Sequence, residues 1–327
     1  MDMIVARKQR TFLDLFPAPE FLLLSTTGIA VTDSDTKFVQ LRREISGNGF
    51  ELAHLSKENN PQGAVEAGLI RNSAGLVPIL KKLASHYGIR YARASLPEEK
   101  AYLFTTSIEK VPSEGLRDAV AFIVEENAPV SLADSVFDFE IIGEVPDANE
   151  IKLAVTVLPK NIVNAYTALF ESAGITPISF DIEPQAIARA LIRRGDKRSN
   201  LIINLSRKKT GFYVVEEEVV QFNTTPAYSI GEGDSYPSLN DLKAEMHKVL
   251  AFWNARPGEK IENIILCGFG ASKKDFVDKL MSESEIPYAL ADVWQNVSVS
   301  QGNVPNLSFD ESLEYASAIG LVLSSGK

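Results

Sequence analysis

Cysteine is almost absent from this chain of 327 residues, and the single Cys267 excludes an intramolecular disulfide and any cysteine-rich metal site. No apolar run approaches the roughly 20 residues that span a bilayer. The three histidines have no cysteine or carboxylate at ligand spacing, and neither a Walker loop nor a Rossmann fingerprint is present. The sequence therefore predicts no metal site and no catalytic residue.

An excess of positive charge is also absent, because 43 acidic residues outnumber 33 basic ones and the formal net charge is -10. A nucleic-acid partner is not expected, because phosphate neutralisation needs a basic surface. The basic residues Arg7, Lys8 and Arg10 precede only a broken apolar stretch, so the N-terminus lacks the continuous apolar core of a secretory signal. We expect a cytoplasmic protein.

What the sequence does contain is one strand pattern that occurs twice. A strand, a polar turn and a second strand occupy Leu23–Leu41 and recur at Leu201–Val215, and helical apolar stripes follow each. The length exceeds that of one small core. This predicts an α/β chain of two related halves that face a cleft, with a hinge near residue 197. Two unrelated α/β domains remain the alternative.

Between the two halves, the stretch from about Lys100 to Ala173 has the pattern of three strands and two amphipathic helices. A closing helix is predicted over Glu311–Ser324. The predicted organisation is a flexible tail, a first half in two parts, an inserted subdomain and a second half: 1–20, 21–99 with 174–197, 100–173, and 198–327.

Several segments resemble the PilM family of type IV pilus assembly proteins, which are relatives of the cell-division protein FtsA in the actin-like superfamily. They match, in order, a first phosphate loop, an "AGL-x-P…D-x-E-P" segment, a second phosphate loop, an adenosine-side turn and the family's last helix: Gly28–Lys37, Ala173–Pro184, Asn200–Thr210, Ile264–Ala271 and Tyr315–Leu323. The order and spacing hold over about 300 residues.

The resemblance implies an actin-like, FtsA-like fold, with two halves around a cleft and a small inserted α/β subdomain. ATP with Mg²⁺ is the implied cofactor. The residues that would face it are Thr32, Asp33, Ser34, Lys37, Asn204, Ser206, Thr210, Gly231, Gly233, Glu245, Gly268, Gly270 and Ala271.

Departures from the family pattern lie in the phosphate loops. Ala30 and Asn204 occupy the positions of the two family aspartates that hold magnesium, and Thr32 and Ser206 replace loop glycines. Losing two carboxylates weakens a site for a hard cation, so we expect little or no ATP turnover, and whether ATP binds stays open. Lys208 and Lys209 add positive charge that we expect to offset part of this loss.

The resemblance also implies partners. In PilM relatives a groove between the insert and the neighbouring subdomain accepts the cytoplasmic N-terminal peptide of the single-span membrane protein PilN. We therefore expect a scaffold at the inner membrane, peripheral to it through a PilN-like partner. Contacts with pilus motor components and self-association are further options.

Three other functions would each require a feature that can be looked for in this sequence. An active actin-like ATPase that drives pilus assembly would need the missing aspartates. An FtsA-like cell-division tether would need a C-terminal amphipathic anchor, and the chain stops at Lys327 directly after its last predicted helix. A small-molecule kinase would need a carboxylate base, and the sequence offers none at a credible position.

Overall fold

The computed structural model of the chain describes residues 26–43, 50–145, 148–228, 230, 238–256, 260–297 and 307–323. The predicted tail lies outside this part. The strands are β1 (Thr26–Val31), β2 (Asp35–Arg43), β3 (Phe50–Asn59), β4 (Val65–Glu66), β5 (Leu69–Ile70), β6 (Tyr91–Leu96), β7 (Tyr102–Glu109), β8 (Ser135–Glu144), β9 (Glu150–Pro159), β10 (Thr176–Ile182), β11 (Asn200–Leu205), β12 (Thr210–Glu216), β13 (Val219–Thr224), β14 (Asn263–Cys267) and β15 (Tyr288–Leu290).

The helices of the described residues are α1 (Ser73–Tyr87), α2 (Ser113–Asn127), α3 (Lys160–Ser172), α4 (Glu183–Leu191), α5 (Leu239–Asn254), α6 (Lys274–Met281), α7 (Phe309–Ser312) and α8 (Ala316–Leu323). Short 3-10 turns follow β6, precede β8 and follow β14, and a fourth joins α7 to α8.

Two five-stranded sheets have the same topology. The first has the order β10-β6-β1-β2-β3 and the second, read in the opposite direction, β15-β14-β11-β12-β13. In each sheet the central strand pairs antiparallel with the strand that follows it and parallel with a later one. The predicted α/β class and its two related halves are confirmed.

Each half opens with the predicted hairpin. In the first, the Thr32 hydroxyl accepts the backbone N–H groups of Ser34 at 3.2 Å and Asp35 at 3.1 Å, which closes the polar turn. In the second hairpin every residue of β11 is buried, so this strand is covered on both faces. That burial explains why its sequence reads as an apolar run rather than an alternation.

The insert is a three-stranded sheet with the order β7-β9-β8. Its own small core joins apolar residues of β9 to the inner face of α2, including Leu153, Val155, Val120 and Val124. Helix α3, which follows β9, packs into the core of the first half instead.

The closing helix predicted over Glu311–Ser324 is divided in two. Ser308 and Glu311 form a capping box that starts α7, and a 3-10 turn over Leu313–Tyr315 separates α7 from α8. Helix α8 then packs against α4 and β1, and Gly320 approaches so closely that an added Cβ would lie 1.6 Å from the Ala186 carbonyl oxygen. The break places the 3-10 turn at the edge of the cleft between the halves.

Candidate functional site

The cleft lies where loops of both halves meet. It is bounded by the β1–β2 turn, the β11–β12 turn, the start of α4, the turn after β14 and the segment before α8, and it encloses about 560 Å³ including open solvent. The lining residues are Ala30, Thr32, Asp33, Ser34, Asp35, Lys37, Glu183, Ile187, Asn204, Ser206, Arg207, Lys208, Lys209, Gly268, Phe269, Leu313, Glu314, Ala316 and Ser317.

The structure brings together seven of the residues that the sequence assigned to this site, namely Thr32, Asp33, Ser34, Lys37, Asn204, Ser206 and Gly268. Thr210, Glu245, Gly270 and Ala271 do not line the cleft. Gly231 and Gly233 lie outside the described residues.

Three of the four residues away from the cleft are engaged elsewhere. Thr210 is fully buried, and its hydroxyl donates to the Tyr228 carbonyl at 3.3 Å. Gly270 is covered by Ile230, whose Cδ1 would lie 2.1 Å from an added Cβ. Glu245 pairs with Lys248 on the same helix at 3.2 Å. Gly270, which the resemblance assigns to the adenosine side, is therefore covered by the protein itself.

In the first loop, the charged groups already have partners. The Asp33 carboxylate accepts the backbone N–H groups of Ala67 at 2.9 Å and Gly68 at 3.1 Å. Lys37 forms an ion pair with Asp35. Burial raises the pKa of Asp35, but Lys37 and nearby Lys57 outweigh it and hold this pKa below its ordinary value. The Lys37 ammonium is thus neutralised within its own strand.

In the second loop, Asn204 belongs to a neutral network. Its Nδ2 donates to the Tyr213 hydroxyl and its Oδ1 accepts the Ser206 hydroxyl, both at 3.4 Å. Ala30, 2% exposed, faces the same cleft with a methyl group. A methyl group and an amide do not provide the negative charge that a Mg²⁺ shell requires, so these two positions do not fit the ion. Within the described ranges, no three His, Cys, Asp or Glu side chains are placed to hold a metal.

Lys209 contradicts the expectation that it adds free charge for a phosphate. It is only 8% exposed, and its Nζ lies 3.0 Å from Glu98 Oε1, 3.1 Å from Glu99 Oε2 and 3.0 Å from Glu183 Oε2. Burial lowers the pKa of Lys209, but the three carboxylates raise it well above its ordinary value. The Lys209 ammonium is charged, and its charge is balanced by carboxylates of the protein.

Sequence reasoning missed this glutamate cluster. Glu98 and Glu183 belong to different segments, so no spacing in the sequence connects them. Burial, opposed by Lys209 and supported by Glu183 and Glu99, raises the pKa of Glu98 to about 7. A glutamate directly after a buried strand, as in Leu96-Pro97-Glu98, was the one available signal.

A second residue that the sequence did not predict, Glu314, also lines the cleft and pairs with basic side chains of the protein. Its carboxylate lies 2.6 Å from Lys57 Nζ and 3.6 Å from Arg207 Nη2. The Arg207 guanidinium also stacks 3.6 Å from the centroid of the Phe269 ring. Lys208 differs, because it is exposed and its Nζ contacts the Asp33 carbonyl oxygen at 3.4 Å.

A separate groove lies between the insert, the first half and the second half. It is lined by Glu140 and Ile141 of β8, by one face of α4, by the β12–β13 turn and by Leu323, and it encloses about 1130 Å³ including open solvent. Strand β8 is one of the two edge strands of the insert sheet, and its Ile141 is 54% exposed.

Comparisons with known proteins agree with this architecture. The sequence profile of the family "Type IV pilus assembly protein PilM" matches residues 28–228. A structure described as a PilM-PilN type IV pilus biogenesis complex is similar, with a TM-score of 0.78, 19% identity, and coverage of 93% of this chain and 98% of that one. No curated protein sequence matches the chain.

Two further structures are similar at lower scores. The ethanolamine utilization protein EutJ from Carboxydothermus hydrogenoformans has a TM-score of 0.55 at 10% identity, covering 93% of this chain and 91% of its own. The cytoplasmic domain of EpsL, an inner-membrane component of the type II secretion system of Vibrio cholerae, has a TM-score of 0.50 at 11% identity, covering 92% and 99%.

These matches confirm the expected actin-like α/β fold with its inserted subdomain. Among the described helices, none combines the length and apolar character needed to cross a membrane.

Proposed function

The chain belongs to the PilM family of type IV pilus assembly proteins, and from this premise we propose that it is an actin-like scaffold of the inner-membrane assembly complex. It binds the cytoplasmic N-terminal peptide of a single-span, PilN-like protein and hydrolyses little or no ATP. It reaches the membrane through that partner, as a peripheral protein.

The proposal of little or no ATP hydrolysis rests on the charged side chains of the cleft, which already pair with each other. Lys37, Arg207 and Lys209 each lie beside a carboxylate of the protein itself. Ala30 and Asn204 supply no carboxylate at the positions expected to hold magnesium. A metal-assisted attack on a phosphoanhydride needs both a bound cation and free positive charge around the phosphates, so turnover is disfavoured at both points.

The proposed site for the partner is the groove beside β8. The outer strand of a sheet has unpaired backbone N–H and C=O groups, which an extended peptide can bind by adding a strand. Half-buried Gln185, Arg189 and Val219 line the groove and offer contacts for alternate side chains of the peptide. Exposed Ile141 sits at the mouth. The similar structure of a PilM-PilN complex supports a peptide of this class.

Peptide binding tests this site directly. A fluorescein-labelled peptide from the N-terminus of the PilN-like protein of the same organism is titrated with purified protein, and anisotropy is measured. Ile141→Arg is expected to weaken binding at least tenfold. Val136→Arg is the matched control, because Val136 lies on the same strand, is 41% exposed and does not line the groove. Equal binding by wild type and both variants would place the peptide elsewhere.

Phosphate release tests the second part of the proposal. Purified protein with ATP and Mg²⁺ is expected to release no phosphate above a buffer control, and any binding of ATP is expected to depend little on Mg²⁺. The double variant Ala30→Asp, Asn204→Asp is expected to bind Mg-ATP more tightly than wild type. Turnover in the wild type that Asn204→Ala abolishes would contradict the proposal.

Membrane recruitment is tested by flotation with liposomes. We expect flotation only when the partner peptide is displayed on the lipid, because anionic head groups repel a protein of net charge -10. Equal flotation without the peptide, lost on deletion of residues 1–16, would show direct membrane binding instead.

A further inference from the structure

The Lys209 ammonium lies at the junction of the two halves. Lys209 belongs to the β11–β12 turn of the second half, whereas the glutamates around it belong to the first half. Glu98 and Glu99 follow β6, and Glu183 begins α4. One side chain of the second half is therefore held at three points of the first, with N–O distances of 3.0, 3.1 and 3.0 Å.

Glu314 forms a second connection. Its carboxylate lies 2.6 Å from Lys57, on β3 of the first half, and 3.6 Å from Arg207, in the β11–β12 turn of the second half. The side chain of Glu314 is only 13% exposed. One carboxylate is thus shared by a cation from each half.

These contacts oppose separation of the halves. An ion pair away from solvent is screened little by salt, and removing one partner leaves an uncompensated buried charge. Opening the cleft would separate Lys209 from Glu98, which is 1% exposed, and from Glu183, which is 7% exposed. In a cleft that is closed by a ligand, loops of both halves bind the ligand. Here loops of both halves bind each other.

We propose that these two ionic bridges, centred on Lys209 and Glu314, hold the two halves closed without nucleotide. The cleft is then a fixed joint and not a hinge operated by ATP. This goes beyond the proposed function, because a scaffold that does not hydrolyse ATP would still be free to open and close with ligand.

The distance between the halves tests the proposal. Spin labels are attached to Lys81→Cys on α1 and Lys274→Cys on α6, since both positions are exposed. The native Cys267 is buried and stays unlabelled. Double electron–electron resonance then gives the distance distribution with and without Mg-ATP. We expect one narrow distribution that is the same in both conditions. A broad distribution that narrows with Mg-ATP would overturn the proposal.

Variants test the bridges themselves. Replacing Lys209 alone strands three carboxylates, so Lys209→Met is combined with Glu98→Gln and Glu183→Gln. This triple variant and the single Glu314→Gln are each expected to shift the distribution to longer distances and to broaden it. Lys248→Met is the control, because Lys248 is 71% exposed and its ion pair is with Glu245 on the same helix, α5.

The outcomes separate clearly. If the Glu314→Gln and triple variants keep the wild-type distribution, the bridges do not hold the halves and the proposal is wrong. If the triple variant does not fold, Glu314→Gln and the wild-type measurement with and without Mg-ATP decide. Peptide binding is measured in parallel, so that a failure of the proposed partner site is seen independently of closure.

Discussion

Replacing Glu98 by glutamine is expected to remove a pH dependence from the stability of this protein. Glu98 is 1% exposed, and burial raises its pKa from 4.5 to about 7. The titratable groups that face it are Lys209, Glu183, Glu99, Tyr213 and Cys267. Three glutamates around one lysine cannot all ionise at low cost, so the cluster retains a proton that the unfolded chain has lost.

The sign follows from proton binding. Between pH 4.5 and about 7 the native state binds more protons than the unfolded state at Glu98, so the free energy of unfolding falls as pH rises through this window. At ~1.4 kcal/mol per pH unit over this window, the full effect is at most roughly 3–4 kcal/mol. Glu98→Gln is always neutral, so it should match the wild type near pH 5 and exceed it by about 1–3 kcal/mol at pH 8.

Thermal unfolding followed by circular dichroism at pH 5, 6, 7 and 8 measures the effect. A gain of this size corresponds to roughly 2–6 °C in Tm for a chain of this length. Glu99→Gln is the matched control, because Glu99 also contacts Lys209 but lies nearer the surface, with its side chain 14% exposed. It should leave most of the slope in place. A difference between Glu98→Gln and wild type that is the same at every pH would refute the reasoning.

Two further predictions concern packing. Gly320→Ala should destabilise the protein by about 3 kcal/mol or more in denaturant unfolding, because the added Cβ would lie 1.6 Å from the Ala186 carbonyl oxygen. Gly115→Ala is the control, because an added Cβ there has no atom within 4 Å. It should be neutral or stabilising by up to about 1 kcal/mol. Similar losses for both variants would contradict this. Burial raises the pKa of the Cys267 thiol, and the nearby glutamates raise it further. A thiol reagent should therefore label Cys267 in denaturant and not in the native protein at pH 8. Rapid labelling of the native protein would contradict this.

The hairpins and the altered phosphate loops could be predicted from the sequence, because they depend on adjacent residues or on residue type alone. The hairpins follow from a polar turn such as Thr32–Asp35 between apolar strands, and their recurrence at Leu201–Val215 predicted the duplicated sheet. The loss of charge at Ala30 and Asn204 was also visible, since a residue type fixes what a position can offer to a metal. The structure then placed seven predicted residues around one cleft.

The break in the closing helix was not readable. Glu311–Ser324 has a continuous helical pattern, and the capping box at Ser308 starts the helix as the local sequence directs. The turn over Leu313–Tyr315 arises where the chain passes from the cleft to its packing against α4 and β1, which is a tertiary requirement.

The sequence by itself determined the strand order within each hairpin, the duplicated architecture and the absence of two aspartates, because each is set by local periodicity, turn chemistry or residue type. Only the tertiary structure decided what the charges do. Lys209 was expected to add positive charge beside the second phosphate loop, yet the fold surrounds it with Glu98 and Glu183 from the other half. Ion pairing depends on which loops the topology brings within 3–4 Å, and no pattern along the chain encodes that distance.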